Sequence, residues 1–128
     1  MALMSDYLEN QMANHVFRGK PMESPKEVWV GLLFGDPTDS SKQTELSGRG
    51  YKREKVLFDS PKNGLVKNAE DIVFHKATAA WKTVTHLSIY DQEAGGKTLF
   101  HGLISSPIKI GKNKNFFIKV DNLQVGFE

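Results

Sequence analysis

The spacing of apolar residues changes once along this chain, at Pro25, and that change constrains the fold more than any other feature. Before it, Met4, Leu8, Met12 and Val16 recur every fourth position, with Leu3, Tyr7 and Phe17 beside them, which is the stripe of an amphipathic helix. After it the period is two, the period of side chains that alternate across a strand. The spacing predicts one opening helix over 5–18. Ser5 is its N-cap, because a hydroxyl there accepts from an orphan backbone N–H, and Asp6 complements the positive end of the dipole. Arg18, Gly19 and Pro21 end it with a cation, a residue free to turn left-handed and a ring that cannot continue.

In the second regime Val28, Val30, Leu32 and Phe34 alternate with Trp29, Gly31 and Leu33, a strand covered on both faces that stops at Gly35-Asp36-Pro37. Thr38 to Gly50 has no period and is expected to be a mobile loop. Tyr51 to Phe58 reads as a solvated strand, Pro61-Lys62-Asn63-Gly64 as a turn and Ile72 to Phe74 as a short strand. Thr83 to Tyr90 and Thr98 to Ile104 alternate around Gly95-Gly96, a hairpin signal. Phe116, Ile118 and Val120 share a face, and Leu123, Val125 and Phe127 follow the turn Asp121-Asn122 as a closing strand. The expected architecture is mostly β: an antiparallel β-sandwich over 26–128 with one N-terminal α-helix, in a single domain over 1–128.

Composition removes several classes of function. The absence of cysteine excludes disulfides, thiolate zinc sites and cysteine nucleophiles. Neither apolar run, Val28 to Phe34 or Leu103 to Ile110, approaches the roughly 20 residues of a membrane span, and the start of the chain lacks the pattern of a secretory signal. No membrane insertion is expected, and assembly in a cytoplasm is. A net charge of +2, with lysines scattered among carboxylates, gives no basic patch, so nucleic acid is not expected as a partner.

The sequence carries no nucleophile elbow, phosphate-binding loop or H-E-x-x-H motif. Ser47-Gly48-Arg49-Gly50 is glycine-rich but precedes a strand, so it reads as a turn. His86 and His101 can meet across the proposed hairpin, but two hydrogen-bonded histidines explain them without a metal. Glu70 and Asp71 are neighbours on a strand and face opposite ways. No catalytic residue, cofactor or metal is expected, and the chain reads as a non-enzyme. Of the aromatics Trp29, Tyr51, Trp81 and Tyr90, Trp29 belongs in the core, whereas Trp81 is the better surface candidate for a flat sugar face, set against structural packing, which is the favoured reading of the ring. With Tyr51 and Arg49 it makes the candidate ligand or partner surface. Met4, Leu8, Met12 and Val16 make the candidate assembly helix.

The order of the local patterns resembles a small bacteriophage virion family known as phage tail fibre proteins. The resemblance runs through Tyr7-Leu8-Glu9-Asn10, His15-Val16-Phe17-Arg18-Gly19, Val28-Trp29-Val30-Gly31-Leu32 and Asp36-Pro37-Thr38-Asp39. It continues in Glu45 to Arg53 as E-x-S-G-x-G-Y-x-R, then Ala77-Thr78-Ala79-Ala80-Trp81, Val84-Thr85-His86, Ile89-Tyr90-Asp91 and Leu99-Phe100-His101-Gly102. Lys82 stands where the family pattern has glycine, and the match fades from Lys109. The resemblance implies a virion component, and the expectation built on it is a structural protein of the tail tip, fibre or baseplate that forms a homo-oligomer and binds other virion proteins, with contact to the host surface as an optional further role. The alternatives are a capsid decoration or head-fibre protein, and a module binding host surface polysaccharide.

Overall fold

The computed structural model describes residues 3–38 and 43–127. Its elements are β1 (Leu3–Met4), α1 (Asp6–Arg18), β2 (Val28–Leu33), β3 (Glu54–Val56), β4 (Leu65–Lys67), β5 (Ile72–Val73), β6 (Val84–Tyr90), β7 (Thr98–Ile108), β8 (Phe117–Ile118) and β9 (Gln124–Gly126). A five-stranded antiparallel sheet in the order β1-β7-β6-β2-β3 forms one layer. Two antiparallel ribbons, β4-β9 and β5-β8, form the other. The fold is thus mostly β and sandwich-like, with one helix near the N-terminus.

Pairing decides which side chains enter the core. Val30 lies opposite Ile89 and Leu32 opposite Leu87, while Ile89 and Leu87 lie opposite Phe100 and Gly102. These residues therefore share one face, where they join Ile72, Ile118, Leu123 and Val125 of the second layer in one apolar cluster. Phe100 meets Phe127 edge to face at 5.4 Å, a direct contact between the layers. Full burial of Val30, Leu32, Phe74, Val84 and Val125 contributes about 1.5–3 kcal/mol each.

Helix α1 has the expected bounds. Ser5 accepts from the Leu8 N–H at 3.2 Å, and Gly19 closes the helix at φ +64° while its N–H donates to the Asn14 carbonyl. The predicted apolar stripe is not one surface, however. Met4 lies in β1 opposite Phe100, because the free edge of β7 captures the chain before the helix begins. Leu8 packs on the core, Met12 is half-buried, and Val16 is 65% exposed.

Two expectations for the loops are corrected. Residues 39–42 of the expected mobile loop lie outside the described residues, but Thr44 to Leu46 runs antiparallel beside β2, with Phe34 N–H to Thr44 O at 2.8 Å and Leu46 N–H to Leu32 O at 3.0 Å. Leu46 is buried there, an apolar anchor that a polar surrounding sequence hides. The strand expected over Tyr51 to Phe58 shrinks to β3, since the residues before it turn inward to serve side-chain contacts. The turns at Asn63-Gly64 and Gly95-Gly96 form as expected, all four residues at positive φ. The C-terminal strands form too, but β8 and β9 pair with β5 and β4.

Candidate functional site

The E-x-S-G-x-G-Y-x-R segment builds the densest polar structure in the protein. Strand β3 covers the outer edge of β2 over Val28–Val30, and Thr44 to Leu46 covers it beyond Leu32. Between the two the Leu32 N–H has no strand partner, and it donates to the Tyr51 hydroxyl oxygen at 3.0 Å. Tyr51 O–H donates to Glu45 Oε2 at 2.6 Å. Arg53 forks the same carboxylate, Nε to Oε2 at 2.8 Å and Nη2 to Oε1 at 2.9 Å. Its Nη1 donates to the carbonyls of Gln92 and Gly95 at 2.9 and 2.8 Å, which ties the motif to the β6–β7 turn. The guanidinium lies 3.4 Å from the centroid of the Tyr90 ring, a cation–π contact.

Gly31 stands under this clamp because nothing larger fits: a Cβ there would lie 2.8 Å from Glu45 Oε2, Tyr51 Oη and a Tyr90 ring carbon. The side chains of Arg53 and Glu45 are only 9% and 13% exposed. Burial raises the Tyr51 hydroxyl above its ordinary pKa, and the hydrogen bond to Glu45 raises it further. Tyr90 is raised by burial first and by the Glu45 charge second. Burial alone would lower the Arg53 guanidinium, but the Glu45 carboxylate overrides it and the net shift is upward. Bidentate, charge-assisted bonds of this kind fix geometry as well as contribute energy. Every group in the clamp is engaged inside the fold, so its chemistry is bracing.

The glycines of the motif shape the turn before the clamp. Gly48, Arg49 and Gly50 follow one another at φ +67°, +55° and +83°. Arg49 is held in this region, unusual for a residue with a side chain, because its carbonyl accepts both the Thr78 N–H at 2.9 Å and the Trp81 Nε1–H at 2.8 Å. A Cβ on Gly50 would approach the Lys76 carbonyl to 2.7 Å. Segments 45–53 and 77–81, far apart in sequence, are two sides of one joint.

Trp81, Tyr51 and Arg49 are therefore brought together, and of the two positions open to Trp81 the structure shows the packed one, so the ring does not serve as a surface platform. Trp81 is 3% exposed, with its indole N–H engaged and its ring edge-on to Tyr51 at 5.7 Å. The apolar Ala77 beside it, itself buried, draws the segment into the core. Arg49 alone of the three is exposed, and its Nη1 donates to the Ala80 carbonyl at 2.6 Å. Beside it a depression of about 240 Å³ is lined by Phe34, Leu46, Trp81 and Lys82, with Lys82 Nζ 4.3 Å from the Phe34 centroid.

His86 lies opposite Leu103 and His101 opposite Ser88, so the two histidines are diagonal neighbours, not a facing pair. Among the described residues no group of three His, Asp or Glu side chains is placed to hold a metal ion. Sequence reasoning missed Asn68. Fully buried, it donates from Nδ2 to the carbonyls of Glu70 and Lys119 at 2.8 and 3.0 Å, and accepts at Oδ1 from the Leu123 N–H at 2.9 Å. It holds the two ribbons of the second layer together, and nothing in its local pattern announces that role.

The chain is thus an antiparallel, sandwich-like β-protein in which the polar segment 43–53 is bonded into the sheet. Residues 3–126 match the family of the podophage GP4 fiber I protein gp80, and the chain belongs to that family. Among curated proteins none matches it. The family is one of phage fibre structural proteins, which makes the chain a virion component by kinship, and among the described residues no helix is long and apolar enough to cross a membrane.

Proposed function

We propose that this protein is a structural element of the phage tail tip, fibre or baseplate, that it is assembled into the virion from the host cytoplasm as a homo-oligomer, and that it contacts the host surface and other virion proteins without catalysing a reaction. The observation that carries this reading is the fibre family match over residues 3–126, joined to a clamp that commits the buried ionic side chains of the motif to bracing the sheet. Apolar side chains at the surface, Phe17 at 84% and Leu103 at 71% exposure, supply material for contacts between subunits. Mass spectrometry of purified particles should find the chain in stoichiometric amount, and gold labelling should mark the tail. Particles without the chain overturn the reading, and label on the head transfers it to a capsid decoration or head-fibre role.

The depression beside Arg49 favours a second reading, a module for a host glycan. Its cationic rim and apolar floor suit a sugar bearing polar edges on a flat body. Arg49→Ala should abolish binding of the protein to host cells while leaving it folded, with a thermal midpoint lowered only by the loss of the exposed bond to the Ala80 carbonyl. Cell binding that survives Arg49→Ala removes the glycan from this position.

A further inference from the structure

The depression beside Arg49 carries charge of one sign. Arg49 and Lys82 border it, and among the described residues neither is in an ion pair. Glu45 borders it too, but both of its carboxylate oxygens are taken by Arg53 and Tyr51. The exposed Ser47 and Gln43 add a hydroxyl and an amide to the same lining. The two cations are also fixed relative to each other. The Arg49 carbonyl accepts from the Thr78 N–H and the Trp81 Nε1–H, while Arg49 Nη1 donates to the Ala80 carbonyl, so residue 49 and segment 78–81 are bonded in both directions. Lys82 follows directly, its ammonium 4.3 Å from the Phe34 centroid. Groups held in this way lose little freedom when a ligand arrives. Among the described residues no hydrogen bond uses the Nε–Nη2 edge of Arg49, the fork that fits two oxygens of one anion. Arg49 also keeps a φ of +55° between two glycines, a conformation that a third glycine would adopt without strain. A long cationic side chain retained on strained backbone is a mark of use.

We propose that this depression takes the oxyanion of an acidic sugar, a carboxylate or a phosphate, between the Arg49 fork and the Lys82 ammonium. At about 240 Å³ it is smaller than the pockets of about 300 Å³ and more that enclose whole small ligands, so it holds one group of a ligand and not a chain. The hydroxyl of Ser47 and the amide of Gln43 beside the cations match ring hydroxyls, which an acidic peptide lacks. The inference deepens the glycan reading above and rests on it: charge, in place of stacking on the buried Trp81, supplies the selection.

The test uses the whole chain, isotope-labelled for nuclear magnetic resonance, with the Trp81 indole N–H as reporter beside Arg49 and the Trp29 indole on β2 as reference. Trigalacturonate supplies a carboxylate, glucose 6-phosphate a phosphate, maltotriose a neutral sugar, and triglutamate carboxylates without a sugar. At least one acidic sugar should shift the Trp81 signal to saturation, and added salt should weaken it; which of the two binds assigns carboxylate or phosphate. Lys82→Met, which keeps an apolar stem over Phe34, should weaken that binding about fivefold, whereas Lys62→Met beside the Asn63-Gly64 turn should leave it unchanged. Maltotriose binding as tightly as the acids, or affinity indifferent to Lys82→Met, overturns the anion site while the glycan reading stands. Triglutamate equalling the acidic sugars overturns the sugar in favour of an acidic protein partner. No shift with any probe overturns the inference outright, and the host-cell binding of the Arg49→Ala variant then decides the broader glycan reading separately.

Discussion

Glu45 receives three hydrogen bonds from two side chains, and the cost of burying its charge is offset only because Arg53 forks it. Tyr51 stands in the same network as a proton donor, and this sets a pH dependence. The folded hydroxyl is raised by burial and then by Glu45, whereas the unfolded tyrosine titrates near about 10. Above that pH the folded state keeps a proton that the unfolded state releases, so stability falls as pH rises, by about 1.4 kcal/mol per pH unit for each such group. Tyr90 adds to the slope in the same direction. Urea titrations from pH 9 upward should show the decline, and Tyr51→Phe should remove about one proton from it; an unchanged slope would place Tyr51 outside the network. Asn68→Ala tests the other polar hub. It leaves the Leu123 N–H and the Glu70 and Lys119 carbonyls without their side-chain partner, at a cost of about 3 kcal/mol, visible as a lowered urea midpoint. The Glu45 to Arg53 motif was legible as a pattern but not as a clamp, because its partners Gly31, Tyr90 and Gln92 lie far along the chain. Asn68 was not legible at all, since a buried and an exposed asparagine look the same in sequence.

Element by element, legibility follows the range of the interactions. Helix α1 is specified by neighbours, a hydroxyl cap at Ser5 and a left-handed Gly19, and its bounds emerge from the sequence within one residue. The β6–β7 hairpin is local too, and its alternation and Gly95-Gly96 turn place it correctly. Strands β4, β5, β8 and β9 hold two or three residues each and pair across the chain, Leu65 with Gly126 and Ile72 with Ile118, so no local period reveals their partners. The helix shows the opposite failure, a strong period that overstates its use. Leu8 packs on the core while Phe17 is 84% exposed. Leu8→Ala should therefore lower stability by about 2 kcal/mol, and Phe17→Ser should stay within about 0.5 kcal/mol of the parent, both read from chemical denaturation. Equal effects would mean that the helix packs along its whole length.

At the scale of the molecule, the apolar cluster draws on β2, β3, β5, β6, β7, β8 and β9, so neither layer keeps a core without the other. The clamp adds a polar tie on the opposite face, from the 45–53 segment across Gly31 to the β6–β7 turn. A structure joined on both faces should unfold in one step. The two tryptophans report from different places: Trp29 lies opposite Tyr90 and Lys55 on the clamp side of β2, and Trp81 is buried in the joint with Arg49. In Trp29→Phe and Trp81→Phe variants, each retaining one indole, fluorescence and far-ultraviolet circular dichroism should give coincident transitions. Gly31→Ala sharpens the test, since its Cβ would press to 2.8 Å on Glu45, Tyr51 and Tyr90 and force the clamp apart. If clamp and core are one cooperative unit, the substitution lowers the midpoint seen by Trp81 and by circular dichroism equally. A Trp81 signal that melts early while the sheet signal stays in place would divide the protein into a stable sandwich and a separately melting motif, and would remove the clamp from the cooperative unit.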